Sequence, residues 1–503
     1  MAAGLAGVLA IAFAGCRSAN EKTEVASTLK SSKPNIIVII TDDQGYGEVS
    51  AHGNPVLKTP HLDRLHRESV RFTRFHVSPT CAPTRAALLT GKHEFRSGVT
   101  HTIFERERLS LQARTLPEML KKAGYATGIF GKWHLGDEDE YLPNRRGFDE
   151  SFIHGAGGIG QTYPGSCGDA PNNTYRDPWI WHNDRFVKTE GYCTDVFFEQ
   201  ATRWIEEKKE GKERFLAWIS PNVPHDPFIS PGEEWEAPYK AAGLGTNAVR
   251  YYAMIAHFDA AVGKLLNDLE RLDLENDTLV VFMTDNGHSL GSGYNAGMRG
   301  RKGGPYQGGI RVPSFWRWPG KLPAGVDCEA VTAHVDFLPT VLELAGERAP
   351  TSVAGIDGRS MVPLLGNPAK ADGEAWPERF LFTHVGRWET GDAEKAKYTG
   401  TAVRNGRFKL VNNAELYDLG VDPGETNNVI DAHSEVTMKM RAAYERWWAE
   451  VLPAALQHDS ARGPSVNSFK ERFWAQYGKP AGTNSWDWKM NPELKFNRQR
   501  PPL

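Results

Sequence analysis

This chain carries almost no net charge. Its 59 lysines and arginines against 62 aspartates and glutamates leave −3 over 503 residues. No global field therefore draws it onto nucleic acid or other polyanions, and an anionic ligand must be held by local basic residues. Cysteine is scarce, five in all, which excludes a disulfide-scaffolded fold. Membrane-length apolar runs are missing too. The N-terminal stretch 5–15 (LAGVLAIAFAG) is too short to span a bilayer. There is no internal repeat or low-complexity tract, which sets aside solenoids and arrays. What remains is a globular composition, 40% hydrophobic and 24% charged, at a length suited to one large domain and a small one.

The stretch 5–15 reads as an export signal. It ends in Phe13-Ala14-Gly15-Cys16, which resembles a bacterial lipobox, where the cysteine is lipidated and becomes the mature N-terminus. No Lys or Arg precedes the apolar run. Residues 1–16 are thus expected to be a lipoprotein-type signal, and the polar residues 17–33 a flexible tether. The expected location is the periplasm or cell surface, with the lipid as the sole membrane contact and plain secretion as the alternative. Cys167 and Cys193 flank one loop-rich segment. An exported protein could pair them, or they are free buried thiols.

Asn35-Ile36-Ile37-Val38-Ile39-Ile40 is a continuous β-branched run, the pattern of a strand buried on both faces of a parallel sheet. Residues 215–219 and 279–283 repeat it, and each run is followed at once by polar residues. Helices lie between them. Thr115-Leu116-Pro117-Glu118 has capping-box spacing. Ile255, Phe258, Val262, Leu265, Leu266 and Leu269 form one helical stripe. The expected fold is α/β: a large mixed, mainly parallel sheet flanked by helices, with a small C-terminal α+β subdomain. The catalytic domain is placed at 34–375, the subdomain at 376–455 and an aromatic-rich extension at 456–503. Trp474, Trp486 and Trp488 argue that this extension packs back on the body. Residues 137–195, rich in Gly, Asn, Asp and aromatics, read as long functional loops.

In a parallel sheet, ligands bind at the C-terminal ends of the strands. Three strand ends deliver Asp42-Asp43, His225-Asp226 and Asp285-Asn286 to that edge. Adjacent carboxylates repel each other, and a hard divalent cation on carboxylate and amide oxygens removes the cost. An Asp-Asp pair alone is more often a turn or helix cap. Gly131-Lys132-Trp133-His134 follows a short strand at Gly128-Ile129-Phe130. Pro224-His225-Asp226-Pro227 holds a histidine between prolines, and Lys302 precedes Gln307-Gly308-Gly309-Ile310-Arg311-Val312-Pro313. Before the first of these stands Ser78-Pro79-Thr80-Cys81-Ala82-Pro83-Thr84-Arg85.

Cys-x-Pro-[Ser/Thr]-Arg resembles the signature of type I sulfatases, members of the alkaline phosphatase superfamily. The other blocks stand in that family's order over roughly residues 35–455. The resemblance implies that a formylglycine-generating maturation enzyme oxidises Cys81 to 3-oxoalanine. One hydroxyl of its hydrate would attack sulfur, and the second would lose its proton as sulfate is expelled. It implies one Ca²⁺, less often Mg²⁺, on Asp42, Asp43, Asp285 and Asn286, with the converted Cys81 as a further ligand. Arg85 would hold the modified residue. Lys132, His225 and Lys302 would bind the sulfuryl oxygens. His225 or Lys302 would protonate the leaving oxygen, and His134 would be the base for sulfate elimination. Thr84 stands where Ser is commoner, and Gln307 where the family usually has Glu. Arg311 and His93 read as structural.

The expected substrate is a sulfated polysaccharide or its oligosaccharides, an algal galactan or fucan or a host glycan. His101, Arg145, Arg146, His154, Trp179, Trp181 and His182 are candidates for sugar subsites, though each alone reads as loop packing. Two rivals are a phosphonate or phosphate-ester hydrolase of the same superfamily and a silent glycan-binding lipoprotein. Retention of the whole set Cys81, Arg85, Lys132, His134, His225 and Lys302 argues against the second.

Overall fold

The computed structural model describes residues 29–161, 166–347, 355–369, 376–459 and 467–481. The residues expected to form a signal and lipobox, Cys16 among them, and Trp486 and Trp488 lie outside these. Among the described residues no helix is long and apolar enough to cross a membrane.

Among the described residues, twelve strands precede the C-terminal subdomain. They are β1 (Asn35–Thr41), β2 (Val70–Phe72), β3 (Phe75–His76), β4 (Tyr125–Lys132), β5 (Glu150–His154), β6 (Trp179–His182), β7 (Arg185–Lys188), β8 (Arg214–Ser220), β9 (Thr278–Thr284), β10 (Ser314–Arg317), β11 (Val326–Cys328) and β12 (Thr332–Ala333). Ten of them form one sheet in the order β11-β2-β10-β9-β1-β8-β4-β5-β6-β7. Its centre is parallel: β1 lies between β9 and β8, and β4 joins β8 to β5. Antiparallel pairs close the flanks.

Every residue of β1 and β9 is buried, as their unbroken apolar runs require. The two faces of the sheet build two cores. Ile36, Val38 and Ile40 of β1 join one, while Ile37 and Ile39 join the other. The stripe from Ile255 to Leu269 lies in a long helix, Thr246–Arg271, and all six of its named residues are buried. The capping box at Thr115 opens the helix Leu116–Lys122, with Thr115 N–H donating to Glu118 at 3.1 Å.

The C-terminal subdomain is an antiparallel sheet of β13 (Leu381–His384), β14 (Thr401–Arg404), β15 (Phe408–Val411) and β16 (Glu415–Asp418), covered by the helix Ser434–Ala455. A last helix, Ser468–Tyr477, returns to the main sheet: Phe469 packs on Trp181 and Phe186, and Phe473 on Trp179. The segment 137–195 is more regular than its composition predicts. It contains β5, β6 and β7, the antiparallel edge of the main sheet. Its aromatics fill strand faces, where they stabilise cross-strand pairs.

Candidate active site

Parallel register brings the chemistry to one edge. Thr41 of β1 pairs with Thr284 of β9, so Asp42-Asp43 and Asp285-Asn286 leave the sheet side by side. Gly131 of β4 pairs with Ser220 of β8, so Lys132 ends its strand at the same level as the turn leading to His225. Gly131 has φ +118°, and an added Cβ would stand 2.1 Å from the Ser220 carbonyl oxygen. Only glycine lets the two backbones approach there. Asp43 and His134 also adopt left-handed backbone, at φ 69° and 60°. A non-glycine residue holds such a conformation only where its surroundings enforce it.

Cys81 opens the helix Cys81–Thr90, which is buried over its whole length. Pro83 falls in the first turn, where the missing N–H breaks no helical bond. Gly91 closes the helix at φ 66° with its N–H on the Ala87 carbonyl. Arg85 lies one turn after Cys81 and reaches Asp285 Oδ2 with Nη2 at 2.8 Å and Nε at 3.2 Å. Its Nη1 donates to the Lys132 carbonyl at 3.3 Å.

Each carboxylate at this edge has its own cation. Lys132 Nζ lies 2.7 Å from Asp42, Lys302 Nζ 2.6 Å from Asp43, and Arg85 2.8 Å from Asp285. Asp42, Asp43, Asp285, Asn286 and Lys132 are fully buried. Asn286 Nδ2 donates to Asp43 Oδ1 at 2.8 Å, and Asp43 N–H donates to Asp285 Oδ1 at 3.2 Å. Ligand atoms of Asp42, Cys81 and Asp285 fall within 4.8 Å of one another, as do those of Asp42, Asp43 and His225. Asp42 Oδ1 and Asn286 Oδ1 are buried without a hydrogen-bond partner among the described residues. Buried oxygens left unpaired beside clustered carboxylates are the donor set a hard divalent cation takes. The residues therefore fit a Ca²⁺ or Mg²⁺ ion.

The electrostatics separate these groups. Burial raises Asp42 against the pull of Lys132, and burial with the Asp42 charge lifts Asp285 to about 6. Burial opposes ionisation of Asp43 as well, yet Lys302 and His225 hold it well below the usual carboxylate range. Burial opposes the charge of Lys302, yet Asp43 together with Cys81, Asp42 and Asp226 pushes it above the ordinary lysine value. Burial and Lys132 keep His134 neutral. Burial and Lys302 lower His225 to about 4. Burial raises the Cys81 thiol.

His225 Nδ1 faces the Asp226 carbonyl at 2.6 Å, which leaves Nε2 3.7 Å from Asp43. His134 Nε2 lies 3.0 Å from the Thr102 carbonyl. Gln161, which motif reading passed over, places Nε2 3.4 Å from His225 Nδ1 and also bonds the Asp226 carbonyl. Tyr251 was missed too: its hydroxyl donates to the Asp43 carbonyl at 2.7 Å. Neither carried a sequence signal, since Gln161 sits in a loop and Tyr251 within a long amphipathic helix.

Most of the subsite candidates serve packing instead. His154 is fully buried, Trp181 packs on Phe186, and Arg146 donates to the Ser110 and Ala113 carbonyls. His182 pairs with Glu150 at 2.7 Å, and Trp179 meets Phe473 and Tyr477. Arg145 is exposed. His101 is buried and neighbours Thr102, whose carbonyl meets His134. Cys167 and Cys193 are free buried thiols, so they form no disulfide. Cys167 Sγ instead accepts the Gly136 N–H at 3.3 Å. Arg311 donates to the Thr73 carbonyl and stacks on Tyr46, and His93 caps the 3₁₀ turn at Glu94.

Residues 34–347 match the family model described as "Sulfatase", and residues 302–448 match "N-sulphoglucosamine sulphohydrolase, C-terminal". The chain is 33% identical to N-acetylgalactosamine-6-sulfatase of Homo sapiens over 493 residues, covering 88% of each protein. It is 29% identical to arylsulfatase A of Bos taurus, over 88% of this chain and 91% of that protein. The match to arylsulfatase J of Mus musculus, 33% identical, spans 54% of that protein's length. Among solved structures, Ps i-CgsB superposes with a TM-score of 0.74 at 26% identity, covering 89% of this chain and 98% of that one. It has also been solved in complex with k-i-k-neocarrahexaose. The phosphonate monoester hydrolase of Agrobacterium radiobacter shares the fold, at a TM-score of 0.56 and 20% identity over 84% of this chain and 96% of that one.

Proposed function

Since the chain belongs to the sulfatase family and is a sulfuric ester hydrolase, we propose that it removes sulfate from a sulfated polysaccharide or its oligosaccharides, through a formylglycine made from Cys81 beside a bound Ca²⁺. The observation that carries this reading is the cluster of three buried acids, each matched by a base, around Cys81 at the sheet edge. The raised thiol supports the conversion. An unmodified Cys81 stays protonated at neutral pH, and the thiol is a far weaker nucleophile than the thiolate. A sulfated glycan is supported by relatives named for galactosamine-6-sulfate and by a neighbour bound to a carrageenan oligosaccharide.

Asp42, Asp43, Asp285 and Asn286 would hold the cation, which supplies charge to offset the sulfuryl oxygens and to lower the proton affinity of a nearby hydroxyl. Arg85 fixes Asp285 and the helix that carries residue 81. Lys132 and Lys302 present ammonium groups to the sulfuryl oxygens. Of the two candidate acids, Lys302 is the one protonated at neutral pH, and it donates to the leaving oxygen. His225 has its Nδ1 proton committed to the Asp226 carbonyl. It donates from Nε2 only as an imidazolium, a charge that a bound sulfate favours. His134 is held neutral, as a proton acceptor must be. The reading includes a maturation enzyme as partner and export with a lipid on Cys16.

The test is a sulfate-release screen over defined sulfated glycans, using protein co-expressed with a maturation enzyme and checked by mass spectrometry of the Cys81 peptide. Expected are release from one glycan class, loss in Cys81→Ala with unchanged circular dichroism, and loss on thorough chelation. Full activity in Cys81→Ala overturns the nucleophile, and unchanged turnover after chelation overturns the cation. A faster rate on aryl phosphate than on aryl sulfate favours the phosphate-ester reading.

A further inference from the structure

A cavity of about 350 Å³ lies between the catalytic core and the C-terminal sheet, apart from the carboxylate cluster. His76, His93, His334, Arg379 and Arg404 contribute to its wall, with Phe380, Leu381, Phe382 and Trp447 as an apolar side. Arg404, at the end of β14, is 3% exposed. Its Nε donates to the Asn405 carbonyl at 3.1 Å, its Nη1 donates to His76 Nε2, and its Nη2 has no partner among the described residues. A guanidinium this deeply buried ordinarily has a carboxylate beside it.

Here the nearby charges are of the wrong sign. Burial first, and then the charges of Arg74 and Arg311, push Arg404 down to about 9. Glu425 is the acid that opposes them, and it is already engaged by Lys409 Nζ at 2.6 Å and the Gln307 N–H at 2.7 Å. The acids of the cavity wall are engaged too: Asp357 and Glu450 both bind Arg96, at 3.1 and 2.8 Å. His76 gives no charge. It accepts from Arg404 at Nε2, so its proton sits on Nδ1, 3.3 Å from the Thr332 carbonyl. Gln307 Oε1 stands 3.3 Å from the same Nε2, a neutral amide where a carboxylate side chain would balance the cluster.

Other donors on residues lining this cavity are without partners among the described residues. Phe95 N–H donates to His93 Nδ1 at 3.3 Å, so the neutral ring carries its proton on Nε2, which is buried without a partner. Arg379 binds Asp336 through both Nη atoms and leaves Nε unpaired. The volume exceeds what an inorganic oxyanion fills and falls in the range of small-molecule pockets.

We propose that this cavity binds a small organic carboxylate, its anionic end on Arg404 and its apolar body against Phe382 and Trp447. The carboxylate supplies the counter-charge that Gln307 does not. The site is independent of the sulfate-ester chemistry and stands or falls separately from it.

Benzoate is the probe, with benzamide as its neutral twin, titrated calorimetrically into the full chain. Benzoate is expected to bind one to one and to raise the thermal midpoint, with benzamide at least about tenfold weaker. Arg404→Gln should weaken benzoate about tenfold or more. Gln307→Glu keeps the arginine and supplies an internal carboxylate. It should be at least as stable as the parent and should no longer respond to benzoate. Equal binding of benzamide, unchanged benzoate affinity in Arg404→Gln, or unchanged benzoate affinity in Gln307→Glu would each overturn the proposal.

Discussion

Replacing Lys132 by Met, which keeps the length and removes the charge, isolates one of the three ion pairs. Lys132 and Asp42 are both fully buried, with Nζ and Oδ2 2.7 Å apart. Breaking such a pair by removing one partner costs about 3 to 5 kcal/mol, because the other charge is left uncompensated. Asp42 has a way out: it can take up a proton. Burial already raises its pKa against the pull of Lys132, and without the lysine it rises further. The sign follows from linkage. A carboxyl whose folded pKa lies above its unfolded value near 3.9 binds more protons folded than unfolded, so the variant loses stability as pH rises above about 4. The loss grows by about 1.4 kcal/mol per unit until the folded pKa is reached. Thermal unfolding in EDTA, at pH 8 and pH 5, is the assay. At pH 8 the midpoint should fall by roughly 3–10 °C, taking 1–2 °C per kcal/mol at this size. At pH 5 most of the deficit should be gone. The double variant Lys132→Met, Asp42→Asn removes both charges and should recover most of the loss at pH 8. A deficit that is the same at both pH values, or a double variant as unstable as the single one, refutes the reasoning.

Two further outcomes are expected. Gly131→Ala meets the Ser220 carbonyl and an unfavourable φ together, so it should abolish soluble expression at 37 °C, while Gly124→Ala, with no atom within 4 Å of the added Cβ, should remain soluble although its φ is also positive. Gln161→Ala should lower kcat about tenfold with little change in KM, since it frees His225 rather than removing a contact to the sugar. Gln161→Asn, which keeps the amide donor on a shorter stem, should recover part of the rate, and equal losses in both would deny the positioning role.

The parallel centre of the fold was legible because β1, β8 and β9 are apolar without interruption, a pattern that only burial on both faces tolerates. From it followed the edge where Asp42, Asp285 and the turn to His225 meet. The pairing within that edge was not legible. Lys132 meets Asp42 across 90 positions, Arg85 meets Asp285 across 200, and Lys302 meets Asp43 across 259. No local spacing encodes which base finds which acid. The edge strands β6 and β7 were read as loop because Trp179, Trp181 and Phe186 lie among Gly, Asn and Asp. Aromatic alternation over four residues is too short to outweigh its surroundings. The packing roles of Trp181, His154 and Arg146 agree with the reading of each candidate alone as loop packing, since aromatic and basic residues serve a sheet edge as readily as a sugar.

The burial of the Cys81 helix sets a clock. Cys81 is 2% exposed, and its helix is held by Asp285, 200 residues further along the chain. During synthesis at roughly 5–20 residues per second, that separation corresponds to roughly 10–40 s between the appearance of Arg85 and of its partner. β1, too, lacks its neighbour β9 until residue 284 has been made. Over that interval the helix that carries Cys81 lacks the partner that holds it. Once β9 docks, the thiol is enclosed. On the proposed reading that a maturation enzyme converts Cys81, that enzyme then races the ribosome, so slowing elongation between residues 85 and 285 should raise the converted fraction without any change in sequence.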